Sequence, residues 1–146
     1  MTAGHLKFNW IRYIGFAEDL LKTIPKDVDD EVKERCGISR AYYGAFHRAK
    51  SYLNKIGISV DINGSDSHKK VINEFKNIGK SNALWRGIDL DLDRLRIQRK
   101  KADYDERYFT DIERNRKLRN ELELAVEKAR CVVERIDEIE EQERYR

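Results

Sequence analysis

The sequence predicts an all-α fold, an antiparallel bundle of about five helices forming one domain over residues 1–146. Three observations predict it. Charged residues make up 39% of the chain and only one proline occurs, the composition of long, surface-charged helices. Apolar residues recur at helical spacing in five segments, and no stretch alternates with period two for long enough to make a strand. The 40% apolar fraction argues against wholesale disorder.

The first helix spans Leu6 to Ile24, with Trp10, Tyr13, Ile14, Ala17, Leu20 and Leu21 on one stripe, and Pro25 ends it. A second runs from about Asp29 to Ile56, where Gly57 stops it. Residues 57–67, with Asn63-Gly64 as a turn signal, form the clearest loop. A shorter helix follows, capped near Ser65 or Ser67, with Val71, Ile72, Phe75 and Ile78 inward. The fourth covers about Ala83 to Arg107, disturbed near Gly87. Thr110 and Glu113 make a capping box for the last helix. Its Leu118, Leu122, Ala125, Ala129, Val132, Ile136 and Ile139 form a heptad seam, and its end, residues 137–146, is acidic.

The net charge of +3 is small, but its distribution is uneven. Residues 94–101, RLRIQRKK, carry five cations and no acid, and residues 114–119, RNRKLR, carry four more. Such blocks suit either a phosphate-bearing partner or a solvated helix face. Cys36 and Cys131 are isolated thiols without metal spacing, which suits a reducing compartment. No apolar segment is long enough for a signal or membrane span, so a cytoplasmic protein without membrane attachment is expected. No metal or cofactor is implied.

The second helix contains SRAYYGAFHRAKSYL, residues 39–53. At about 100° per residue, Arg40 and His47 lie within about 20° of each other, with Gly44 between them. Tyr42, Ala45, Phe46, Ala49, Leu53 and Ile56 centre on the opposite side. This geometry predicts an outward-facing notch, edged by Tyr43 and Cys36, open to solvent, a ligand or a partner. In the fourth helix Arg99 shares the apolar stripe of Ile88, Leu92, Leu95 and Ala102, where an arginine needs a carboxylate such as Asp103 or a binding cleft. Tyr104 groups with Leu90 and Ile97 and is expected in the core. His68, near the start of the third helix, is expected as a capping or surface residue, with approach to a phosphate at that helix N-terminus as the alternative, and Trp85 in the core, with stacking on a base as the alternative.

The aromatic pair followed by Phe46-His47, then SHKKVINEF, then RKKADY before a long last helix resembles the HEPN family of small helical domains over about Asn9 to Ile139. The resemblance implies a homodimeric, metal-independent endoribonuclease acting on RNA, a toxin of a toxin–antitoxin system or an antiviral defence effector. A nucleotidyltransferase-type antitoxin is the implied partner. Arg40 and His47 are then the catalytic pair. His47 would exchange protons with the ribose 2′-OH or leaving oxygen, and Arg40 would stabilise phosphate charge. Arg96, Arg99, Lys100 and Lys101 would bind RNA or phosphate, with Tyr43, Asp103 and Tyr104 in support. Tyr104 stands where the late motif of the family carries a histidine. The alternatives are a non-catalytic HEPN module that binds a nucleotide or docks a nucleotidyltransferase, and a structural helical protein that associates through the seam of its last helix.

Overall fold

Five helices and no strand make up the described residues of the computed structural model, which are 8–22, 28–60, 66–105 and 114–144, with the side chains of 28–30 and 114–117 excluded. The helices are α1 (Ile11–Leu21), α2 (Val28–Lys55), α3 (Ser67–Gly79), α4 (Ile88–Tyr104) and α5 (Arg114–Arg144). The Asn63-Gly64 turn, Pro25 and the Thr110/Glu113 capping box lie outside the described residues.

Helix α2 packs against all four others. Its sequence permits this because small or apolar residues occur on most of its circumference. Ile38, Ala41, Tyr42, Ala45, Phe46, Ala49, Tyr52 and Leu53 are all buried, and Gly37 and Gly44 open two further faces. The helix ends as its glycine predicts. Gly57 adopts φ 92°, and the Ile58 N–H donates to the Leu53 carbonyl at 2.9 Å, closing a Schellman turn.

The polar contacts fix the directions. Leu20 meets Gly37 and Ile14 meets Gly44, so α1 runs antiparallel to α2. Arg35 donates to the carbonyls of Ala102 at 3.1 Å and Asp105 at 2.6 Å, capping the end of α4, while Ser39 reaches Asp103 higher up; α4 is antiparallel to α2 as well. Gln98 donates to Glu121 Oε2 at 2.8 Å and Arg135 to the Arg86 carbonyl at 2.7 Å, so α5 turns back along α4. The two long helices α2 and α5 consequently run side by side in the same direction. Gly37 faces Leu122, Arg48 bonds Asp137 and Glu140, and the Tyr52 hydroxyl donates to Glu143 at 2.5 Å. The acidic end of α5 is thus partly neutralised within the chain.

The heptad seam of α5, from Leu118 to Ile139, is fully buried inside the bundle. It is this chain's own core, and association of copies through it is excluded by the burial. Trp85 is buried against Tyr52 and Phe75, as expected. Helix α4 starts later than its composition suggests, because residues 83–87 form turns and Gly87 takes the left-handed conformation, φ 94°. Ile56, expected inward, is exposed at the end of α2.

Gly44 admits α1 at close range. A Cβ there would stand 2.6 Å from Ile14 Cγ1 and 3.0 Å from the Trp10 carbonyl oxygen. Gly15, on the outer side of α1, has nothing within 4 Å of the same position. Gly44→Ala is therefore expected to destabilise the fold by about 1–3 kcal/mol. Gly15→Ala is expected to stabilise it by about 0.5–1 kcal/mol through helix propensity. Urea unfolding midpoints of the two variants check both signs.

Candidate functional site

The notch predicted between Arg40 and His47 is occupied by the chain itself. Because Gly44 lacks a side chain, α1 settles into it, and the two flanking residues each receive an aromatic cover. The Trp10 ring stacks on His47 with centroids 3.7 Å apart and planes 15° apart, and the Arg40 guanidinium lies 5.0 Å over the Tyr13 ring. Trp10 thereby leaves the core stripe expected of it. Arg40 and His47 therefore do not flank an open notch. Burial, followed by the charges of Lys50 and His68, lowers the His47 pKa to about 4, so its imidazole is neutral at pH 7.

The cations collect one face further round α2. Arg99 is 8% exposed and lies between two rings, with its guanidinium carbon 5.5 Å from the centroid of Tyr42 and 5.6 Å from that of Tyr43. Its nearest carboxylate is Asp103, whose Oδ2 stands 3.7 Å from Nη1 and also accepts from the Ser39 hydroxyl at 3.2 Å. The pairing read from the i, i+4 spacing is present, but it is long and leaves Arg99 Nε buried with no hydrogen-bond partner. Arg96 Nε, one turn earlier, is buried and unpartnered in the same way. Two arginines with unspent donors are unusual for a protein interior.

His68 completes this cluster through partners that sequence reasoning did not supply. Position 68 lies in the first turn of α3, and the packing of α3 on α2 lays its ring against Phe46 at 4.3 Å between centroids and bonds its Nδ1 to the Tyr42 hydroxyl. Burial, then Arg99, Arg96, Lys50 and Lys100, lower the His68 pKa to about 4. Burial raises that of Tyr42, although Arg99 and Arg96 oppose it. A protonated phenol and a neutral imidazole pair with the hydroxyl donating to Nδ1, which leaves the ring proton on Nε2 as a donor. The only sequence signal for His68 was its place at a helix start, and that gave no hint of the long-range partners.

Of the other predicted residues, Lys100 is exposed and close enough to act on His68, whereas Lys101 is about 200° round α4 from Arg99 and faces away. Tyr104 is 75% exposed, with Leu90 at 56% and Ile97 at 48% on the same outer stripe. Tyr104 is not a core residue, because Arg99 and Leu92 occupy the inward face. Tyr43 is half-buried between the two regions, within 6.3 Å of both the His47 and His68 centroids. No group of three or more His, Cys, Asp or Glu side chains that could hold a metal ion is found among the described residues, and no described helix is long and apolar enough to cross a membrane.

Comparison of the chain with protein-family models, with curated proteins and with solved structures gives no match.

Two outcomes follow from these environments. Tyr104→Ser removes only exposed surface and should shift stability by no more than about 0.5 kcal/mol, read from the denaturant midpoint. The histidines give an acid-sensitive window. The unfolded chain takes up protons on His47 and His68 below about 6.5, and the folded chain resists until about 4. Their contribution is therefore complete above about 6.5 and falls away as the pH drops towards 4. A thermal midpoint that declines across this window, with a shallower slope in His47→Gln, is expected; an unchanged midpoint between these limits contradicts the assignment.

Proposed function

We propose that this chain is a HEPN-like module that binds the phosphate groups of RNA or a nucleotide through the surface formed by Tyr43, His68, Arg96, Arg99 and Lys100. The observation that supports this reading is the gathering of Arg99, Arg96, Lys50 and Lys100 around His68, with Lys100 exposed at its edge. A phosphate meeting the exposed side of this cluster supplies the missing negative charge. The neutral His68 contributes an N–H rather than a proton to transfer, and the Tyr43 ring offers an aromatic face for a base. The resemblance in SRAYYGAFHRAKSYL and RKKADY points to the same class of ligand. Homodimerisation and a nucleotidyltransferase partner belong to the same reading.

Binding of a labelled single-stranded RNA at several salt concentrations tests it. Each phosphate-contacting cation contributes about 0.7 to the slope of log affinity against log salt. Lys100→Gln should weaken binding and reduce the slope by about that amount. Lys101→Gln, on the opposite face of α4, should leave both unchanged. Equal effects of the two substitutions, or no binding by the wild type, would remove the reading.

Metal-independent endoribonuclease action, as a toxin or in defence, is the second reading. It is supported by the resemblance in SRAYYGAFHRAKSYL, in which His47 would exchange the proton and Arg40 would meet the phosphate. Cellular RNA incubated with the protein and EDTA should then be cut, with at least a roughly hundredfold loss in His47→Ala. Uncut RNA, or equal cutting by the variant, leaves the binding module alone.

A further inference from the structure

The seating of α1 on α2 leaves a groove of about 410 Å³ between them, lined by Phe8, Arg12, Tyr13 and Phe16 on one side and by Cys36 and Arg40 on the other. Arg12 and Phe16 are one turn apart on α1, and Cys36 and Arg40 one turn apart on α2, so each helix sets one cation along the groove. Tyr43, His68, Arg96, Arg99 and Lys100 take no part in the lining. The volume falls within the range of small-ligand sites, about 300–1,000 Å³.

The lining has a definite chemistry. It offers three aromatic rings, two guanidinium groups and no carboxylate. The Arg12 guanidinium lies 5.9 Å over the Phe8 ring and that of Arg40 5.0 Å over the Tyr13 ring. Neither arginine has a carboxylate partner among the described residues. A guanidinium whose face rests on a ring keeps its edge N–H donors free, and their fork matches the two oxygens of a carboxylate. Phe8 packs against Tyr13 with centroids 5.2 Å apart, and Phe8 and Phe16 remain 45% and 43% exposed, apolar surface that a flat ring would take out of water. Apart from the arginines, the only polar side-chain groups in the lining are the Tyr13 hydroxyl and the Cys36 thiol. That is too few to meet the hydroxyls of a sugar, so the groove suits one aromatic ring system carrying one anionic group.

We propose that the groove between α1 and α2 binds a small aromatic carboxylate, with its ring against Phe8, Tyr13 and Phe16 and its carboxylate met by Arg12 and Arg40. The site is independent of the phosphate-binding reading, since the two share no residue. A ligand there bridges the two helices, and so holds α1, with its Trp10 and Tyr13 covers, against α2. Cys36, half-buried in the lining, reports occupancy, and the exposed Cys131 on α5 is the internal reference.

The test is the rate of alkylation of each cysteine by iodoacetamide, read by peptide mass spectrometry, with naphthoate as the probe. Naphthylmethanol keeps the rings without the charge, and cyclohexanecarboxylate keeps the charge without the aromatic faces. At about ten times its dissociation constant naphthoate should slow Cys36 about tenfold and leave Cys131 at its own rate. Each analogue should need a concentration about tenfold higher or more for the same protection. Arg12→Gln and Phe16→Ala replace exposed side chains, and each should weaken naphthoate protection about tenfold, with thermal midpoints establishing that the fold is kept. Should Phe16→Ala fail to fold, Arg12→Gln carries the decision, and should Cys36 react too slowly to follow, calorimetric titration of the same compounds gives the same comparison. Lys100→Gln should leave naphthoate binding unchanged. Absence of protection up to the solubility limit, equal slowing of Cys131, equal protection by either analogue, or wild-type protection in folded Arg12→Gln overturns the site. Equal weakening by Lys100→Gln and Arg12→Gln also overturns it, since the anion then sits in the phosphate cluster.

Discussion

Helix α2 is enclosed by all four other helices, and this constraint organises the molecule. A surface helix buries one stripe and leaves the rest to solvent, whereas a central helix must find a packing partner for most of its circumference. Two glycines make that feasible. Gly37 lets the leucines Leu20 and Leu122 approach from α1 and α5, and Gly44 lets Ile14 of α1 settle against its backbone. Each costs helix propensity of about 1 kcal/mol relative to alanine, offset by the apolar surface that the close approach buries. Once α1 is seated, Arg40 and His47 acquire aromatic covers, and the remaining open strip of α2 is defined by what α1 leaves uncovered.

Polar contacts then set the register that packing alone would leave loose. Arg48 bridges to Asp137 and Glu140 on α5, and although burial opposes its charge, the two hydrogen bonds raise its pKa. Tyr52 adds a bond to Glu143 one turn on. Arg35, tethered by Glu31, caps the carbonyl end of α4. These contacts hold α5 parallel to α2 and place the last turn of α4, with Arg99 and Asp103, opposite Ser39 and Tyr42. Removing one partner from such a half-buried pair leaves the other uncompensated, which is why they fix alignment more than they add stability.

The chemistry of the site comes from an imbalance. Around Tyr42 and His68 gather Arg96, Arg99, Lys50 and Lys100, against which Asp103 and Asp93 supply the nearby negative charge. Ring faces satisfy part of the Arg99 charge, and two guanidinium Nε donors remain without acceptors. A neutral histidine that accepts from a tyrosine hydroxyl presents a donor on its far side.

The amino-acid sequence by itself determined the helices, the stop at Gly57, the buried seam of α5, the inward stripe of Arg99 with its Asp103 neighbour, and the buried Trp85. These depend on spacing and on residues close in the chain, where period and local chemistry suffice. It did not determine what covers each helical face. Tyr104, Leu90 and Ile97 read as apolar and therefore inward, yet α4 has only one face to bury, and Leu92, Leu95 and Arg99 take it. Arg40 and His47 read as an open pair because their face lies opposite the apolar stripe, but a central helix buries that side too. His68 joined the site through Tyr42 and Phe46, both more than twenty residues distant. Such choices rest on which helix arrives at which face, a matter of long-range packing that no local pattern encodes. SRAYYGAFHRAKSYL thus specified a helix with a gap at Gly44, and the tertiary structure decided that α1 fills it and that the open strip lies beside Tyr43.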